Sequence, residues 1–244
     1  MIVFVHGVPE TAALWNKLRG LIDRESVAVS LPGFGCPRPA EFGATKDDYV
    51  EWLLGELSRV EGPIDLVGHD WGAGLTYRIA TAHGDMLRSW VADVGNIMHP
   101  NYEWHEAAKL WQTPGAGESY FQRQGASGPG PQIALFERMG VPHEDAPGLA
   151  GAIDAPMASC ILDVYRSAMP NPYSQWSDAW GHTAAPGLVL NPTEDPFGQQ
   201  DMAAEVASML GAGFETLDGL GHFWPLQGPD VAAAALDRFW GSVE

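Results

Sequence analysis

Positive charge is what this sequence has least of: 13 Lys and Arg stand against 31 Asp and Glu, a formal net charge of −18 over 244 residues. Affinity for a phosphate backbone comes largely from clustered Lys and Arg, so no nucleic-acid partner is expected. The same imbalance disfavours anionic substrates. There are only two cysteines, Cys36 and Cys160, far apart and without C-x-x-C or zinc-ligand spacing. They are expected to be isolated thiols rather than a disulfide. No window approaches the roughly 18 consecutive apolar residues of a membrane span. The opening MIVFVHG lacks the charged, apolar and small-residue regions of a secretory signal. A cytoplasmic protein with no membrane partner is therefore expected. G-x-S-x-G is absent, which disfavours a serine esterase, and Gly72-Ala73-Gly74 lacks the third glycine of a dinucleotide fingerprint. His69, His83, His99, His105, His143 and His182 show no metal-ligand clustering in the sequence. No metal and no cofactor are expected.

What is present is an alternation of short apolar runs and helical patterns. Apolar content of 45% and a length of 244 residues suit one α/β domain with an inserted subdomain. Strands are predicted at 2–5, 27–30, 64–67, 90–94, 187–190 and 214–217, and helices over 12–23, after a Thr45 cap, over 75–82 and over 229–240. Such alternation argues for a mostly parallel sheet of about six strands flanked by helices. From about Gly95 to Ala185 the pattern is helical only, broken by clusters such as QTPGAGE and GASGPGP. An insertion follows from this, with a core of 1–95 and 186–244 and a helical cap of 96–185, placed after the strand near Trp90 to Val94.

The segment DLVGHDWGAG, Asp65 to Gly74, puts an acid on a sharp turn between a strand and a helix. Small residues at Gly68 and Gly72 allow a strained elbow that lifts Asp70 above the sheet. The turn alone leaves a second use open, because aspartate also caps helix N-termini. Two later segments bear on the choice. Leu220-Gly221-His222-Phe223 follows the last strand, where a base could reach over the sheet, and Asn191-Pro192-Thr193-Glu194-Asp195-Pro196 follows the strand before it. Nucleophile, acid and base then occur in the chain order of an α/β-hydrolase triad.

With these segments in view, the sequence resembles the α/β-hydrolases that use an aspartate nucleophile, the epoxide hydrolases and haloalkane dehalogenases. His6-Gly7-Val8-Pro9-Glu10, Leu31-Pro32-Gly33-Phe34-Gly35, Gly68-His69-Asp70-Trp71-Gly72, Glu194-Asp195-Pro196-Phe197 and Gly221-His222-Phe223 carry the likeness in order. The resemblance implies the α/β-hydrolase fold, Asp70 as nucleophile, His222 as base and Asp195 as its acid, with Glu194 and Asp93 in reserve. It also implies oxyanion stabilisation by the backbone N–H groups of Val8 and Trp71. Epoxide hydrolases of this kind use two cap tyrosines, matched here by Tyr120-Phe121-Gln122 and Tyr165-Arg166. Dehalogenases hold halide with the Trp after the nucleophile and an Asn or a second Trp. Trp71 fits, Val8 has no side-chain donor, and Trp104, Trp111, Trp176 and Trp180 are candidates for the second. The chemistry favoured is opening of a small apolar or aromatic epoxide by Asp70 and water, with dehalogenation as the alternative and a non-catalytic ligand-binding protein behind it. Trp104, Leu110, Trp111, Phe136 and Met157 are expected to line the substrate pocket. A homodimer is compatible with all of this.

Overall fold

The structure, a computed structural model, describes residues 1–243. The first strand, β1 (Ile2–Val5), is buried along its whole length. Strand alternation divides its side chains between two cores, Val3 and Val5 entering one and Ile2 and Phe4 the other. A 3-10 turn (Ala12–Trp15) runs into α1 (Asn16–Arg19), followed by β2 (Ser26–Val29), α2 (Lys46–Leu57), β3 (Ile64–Gly68), α3 (Trp71–Ala82) and β4 (Leu87–Ala92). Then come six helices without a strand: α4 (Glu106–Gln112), α5 (Ala116–Ser127), α6 (Gly130–Arg138), α7 (Ala146–Ala152), α8 (Ala155–Ser167) and α9 (Pro172–Trp176). The sheet resumes with β5 (Gly187–Pro192), α10 (Gln200–Leu210) and β6 (Gly213–Leu217), and the described chain ends in α11 (Trp224–Gln227) and α12 (Pro229–Val243).

The six strands form one sheet in the order β2-β1-β3-β4-β5-β6, every neighbouring pair parallel. Helices cover both faces of such a sheet, which is why its inner strands are mostly apolar. Leu66, Trp90 and Ala92 join the core of Val3 and Val5, while Val67 and Val91 join that of Ile2 and Phe4. Thr45 caps α2 in a reciprocal box: its hydroxyl accepts the Asp48 N–H at 3.1 Å, and the Asp48 carboxylate accepts the Thr45 N–H at 3.0 Å.

Three elements depart from the pattern expected. The helix predicted over 12–23 is a 3-10 turn and one α-turn, closed at Gly20. Helix α10 has no counterpart among the elements predicted. The strand predicted at 90–94 spans Leu87–Ala92, because Asp93 turns away and Val94 takes a left-handed conformation, φ 40°. Cys36 and Cys160 are free thiols. No helix of the described residues is long and apolar enough to cross a membrane.

Because all strands run the same way, the segments leaving them emerge at one edge of the sheet. Gly7 and Val8 follow β1, Asp70 follows β3, Asp93 follows β4, Asp195 follows β5 and His222 follows β6. Ligands of open α/β sheets bind at that edge.

Candidate active site

Asp70 occupies the turn between β3 and α3 with φ 52° and ψ −118°, a conformation that L-residues rarely adopt. The turn is possible because the residues two before and two after it, Gly68 and Gly72, have no side chains. A Cβ on Gly68 would lie 2.3 Å from the Gly72 carbonyl oxygen, and one on Gly72 would lie 2.2 Å from that of Val5. The Asp70 carboxylate makes no capping hydrogen bond to α3. Instead its Oδ1 accepts the Val8 N–H at 2.8 Å, and its Oδ2 lies 3.8 Å from His222 Nε2. His222 Nδ1 is 2.9 Å from Asp195 Oδ2, and the other Asp195 oxygen accepts the Phe197 N–H at 2.8 Å. Thus Asp70, His222 and Asp195 form one connected line. Glu194 is exposed.

Environment tunes this line. Burial pushes the Asp70 carboxyl up to about 6, with His222 and the Val8 N–H pulling the other way. Burial works against a charged His222, yet the charge and hydrogen bond of Asp195, aided by Asp70, raise it to about 8. For Asp195, burial is likewise outweighed by His222 and the Phe197 N–H, which hold its carboxyl below the usual range.

Beneath the line lies a second buried network that was not anticipated. Glu10 accepts the Gly7 N–H at 2.8 Å and meets His69 Nε2 at 3.0 Å. The other ring nitrogen of His69 meets Asp93, which also accepts the Asp70 N–H at 2.9 Å and the Trp224 indole N–H at 2.6 Å. Asp93, the reserve acid, is therefore engaged with the elbow's backbone. Burial opposes a charged His69, but the flanking Asp93 and Glu10 carboxylates override it and hold the ring well above its ordinary pKa. The available signal was a charge inside an apolar run: Asp93 ends the sequence Trp90-Val91-Ala92, and such a buried charge requires partners. Glu10, His69 and His222 offer ligand atoms within 4.8 Å of one another. Both His69 nitrogens and His222 Nδ1 are already hydrogen-bonded, so the cluster has few lone pairs for a metal.

A cavity of about 220 Å³ opens above Asp70 and His222, walled by α4, α5, α6 and α8. Trp104, Trp111 and Phe136 line it as expected, whereas Leu110 and Met157 do not. Tyr165 is buried in the wall, its ring 5.4 Å from Trp71 and 5.2 Å from Trp104. Burial, then the Asp70 charge, push its phenol well up. Tyr120 also lines the cavity, but its hydroxyl accepts a 2.6 Å hydrogen bond from Gln124. Tyr102 and His105 face the same space and carried no signal in the sequence, since they lie in a loop without periodicity. Among the described residues, the Trp104 and Trp111 indole N–H groups have no hydrogen-bond partner, while that of Trp176 donates to Asp47 at 2.8 Å.

The sequence pattern of the Alpha/beta hydrolase family matches residues 2–235. The (E)-2-((N-methylformamido)methylene)succinate hydrolase of Acinetobacter baylyi is 22% identical over 248 residues, covering 98% of this chain and 89% of that protein. Epoxide hydrolase 3 of Xenopus tropicalis is 32% identical over 112 residues, 41% of this chain and 28% of that protein. The crystal structure of the haloalkane dehalogenase DbeA from Bradyrhizobium elkani superposes with a TM-score of 0.77 at 16% identity, covering 99% of this chain and 90% of that one.

Proposed function

The chain belongs to the alpha/beta hydrolase family, and from that premise we propose that it is an epoxide hydrolase acting through a covalent Asp70 ester. The observation that carries this is the uncapped Asp70 carboxylate, 3.8 Å from His222 Nε2 at the floor of an apolar cavity. A carboxylate attacks a saturated carbon, which a serine hydroxyl placed there would not do as readily. One Asp70 oxygen bonds the epoxide carbon, the C–O bond of the ring breaks, and its electron pair goes to the epoxide oxygen. The Tyr165 phenol donates a hydrogen bond and a proton to that oxygen. In the second half, His222 Nε2 takes a proton from water as the water oxygen attacks the Asp70 carbonyl carbon. Oδ1, already held by Val8, becomes the oxyanion, and Trp71 supplies the second backbone N–H. Collapse of the tetrahedral intermediate expels the ester oxygen, which takes the proton from His222 and completes the diol. The carboxyl proton left on Asp70 returns to the Tyr165 phenolate, restoring the carboxylate and the phenol.

The electrostatics support this order. In the free enzyme the ionised Asp70 helps keep His222 protonated. Esterification removes the Asp70 charge, so the pKa of His222 falls when a base is needed. A similar segment in an epoxide hydrolase adds support. A dicarboxylate, of the kind named for the Acinetobacter relative, would find no Lys or Arg among the described residues of the cavity wall. The alternative, haloalkane dehalogenation, is favoured by the unpartnered indole N–H groups of Trp104 and Trp111, donors of the type a departing halide requires.

Styrene oxide and a bromoalkane, assayed for diol and for halide, separate the two. The intermediate is tested with His222→Gln, which is expected to give one burst of alkylation and a stable mass adduct on Asp70. Absence of an adduct with either compound, where wild type turns over, overturns the two-step scheme.

A further inference from the structure

The loop between β4 and α4 brings two polar groups into the cavity that the chemistry above leaves unused. His105 is the N-cap of α4, and its Nδ1 accepts the Ala108 N–H at 3.2 Å. An acceptor Nδ1 fixes the neutral ring with its proton on Nε2. That Nε2–H has no hydrogen-bond partner among the described residues. Burial, followed by the nearby His222, lowers the His105 pKa to about 4, so the ring is neutral at working pH. It is held by Phe197, ring to ring at 4.7 Å, and by Trp111 at 6.2 Å.

Tyr102 stands three residues earlier. It is 5% exposed, its ring is 5.2 Å from Trp104, and it lines the cavity together with Asp70 and His222. Its hydroxyl also lacks a hydrogen-bond partner among the described residues. Tyr120 differs in that its hydroxyl oxygen already accepts the Gln124 side-chain N–H. Burial, then the charges of Asp70 and Asp195, push the Tyr102 phenol up, so it remains a donor. The cavity wall therefore offers neutral donors and no Lys or Arg among its described lining residues, and its floor pairs the Asp70 acid with His222.

We propose that Tyr102 O–H and His105 Nε2–H form a two-donor seat for an uncharged oxygen acceptor on the substrate, such as an ether, hydroxyl, ketone or amide oxygen. The enzyme accordingly takes neutral, oxygen-bearing apolar molecules and rejects their carboxylate counterparts. An oxygen acceptor gains two hydrogen bonds in a dry wall. A carboxylate would lose its hydration with no Lys or Arg of the described wall to replace it and with His222 already flanked by Asp70 and Asp195, and it would sit near the Asp70 charge. The seat deepens the epoxide hydrolase assignment and rests on it in taking Asp70 as the reacting group.

The test is equilibrium binding, which needs no turnover. Phenylacetamide, phenylacetate and toluene are titrated into wild type, Tyr102→Phe and His105→Asn, with binding read by calorimetry or indole fluorescence. Asn keeps a cap for the Ala108 N–H but withdraws the donor from the cavity. Wild type should bind the amide at least tenfold more tightly than the carboxylate. Each variant should bind the amide roughly five- to tenfold more weakly, the loss of one neutral hydrogen bond, and toluene unchanged. The seat is overturned if wild type does not bind the amide, if the carboxylate binds as well, if both variants keep wild-type amide affinity, or if toluene weakens in parallel. A protein that shows the expected binding pattern but neither opens styrene oxide nor releases halide keeps the seat and loses the catalytic assignment.

Discussion

Replacing Asp70 by Asn should kill the first chemical step and make the protein more stable, with a pH dependence that follows from the site. Folding raises the Asp70 carboxyl from 3.8 to about 6, chiefly by burial, and only 18% of its side chain is exposed. Keeping such a group ionised costs about 3 kcal/mol. The sign is that of an acid whose folded pKa is raised: the folded state holds the proton more tightly. The penalty is therefore absent below 3.8, grows between 3.8 and about 6, and is complete above that. Asn carries no charge at any pH, and its oxygen can still accept the Val8 N–H. At pH 8.5 His222, raised to about 8, is mostly neutral and offers little compensation to the carboxylate. The variant should then melt higher than wild type by roughly 6–12 °C, taking about 2–4 °C per kcal/mol for a chain of this size. At pH 4 the two melting curves should approach one another. Scanning calorimetry at both values, with a turnover assay on the same samples, makes the measurement. Coincident melting at pH 8.5, or a gap that does not change with pH, refutes the claim that the elbow holds a charge at a cost in stability.

Two further outcomes follow from the neighbouring residues. Asp93→Asn should destabilise by about 3 kcal/mol or more in urea unfolding, because one amide oxygen cannot accept from the Asp70 N–H, His69 and Trp224 together. Unchanged stability would mean that the network beneath the elbow does not anchor it. Tyr165→Phe should slow ester formation on the order of a hundredfold, the typical loss of one aligned donor, whereas Tyr120→Phe should cost less in single-turnover kinetics, because the Asp70 charge acts on the Tyr165 phenol and not on that of Tyr120. The reverse ranking would return Tyr120 to the role its sequence context suggests.

The sheet was legible because a strand buried on both faces has a simple signature: Ile2–Val5 of β1 and Leu188–Leu190 of β5 carry it as uninterrupted apolar runs, and β3 carries it with Asp65 as the one break. Thr45 announced α2 through chemistry that acts within three residues. The order of Asp70, Asp195 and His222 was readable for a similar reason: each directly follows a strand, and a parallel sheet gathers those points at one edge. What escaped lay between distant segments. That His69 sits between Glu10 and Asp93 depends on three strand ends meeting. That the Tyr102 hydroxyl reaches the cavity wall without a partner among the described residues depends on how the loop after β4 packs against the sheet edge. Neither hydrophobic periodicity nor capping chemistry encodes such contacts.

The elbow's turn is held at its backbone: Gly68 and Gly72 give clearance, and the Asp93 carboxylate grips the N–H of residue 70. A Cβ on Gly7 would fall 2.3 Å from both the Asp70 Cβ and its Oδ1, and the Val8 N–H holds that oxygen, so the loop after β1 is moulded to a small side chain ending in an acceptor. Position 70 is thus a socket whose turn is held through the backbone and whose mouth fits any short side chain carrying such an atom. Evolution could exchange that reagent in one mutational step without rebuilding the turn, and the barrier to new chemistry would then lie in the cavity wall, where many side chains must change together.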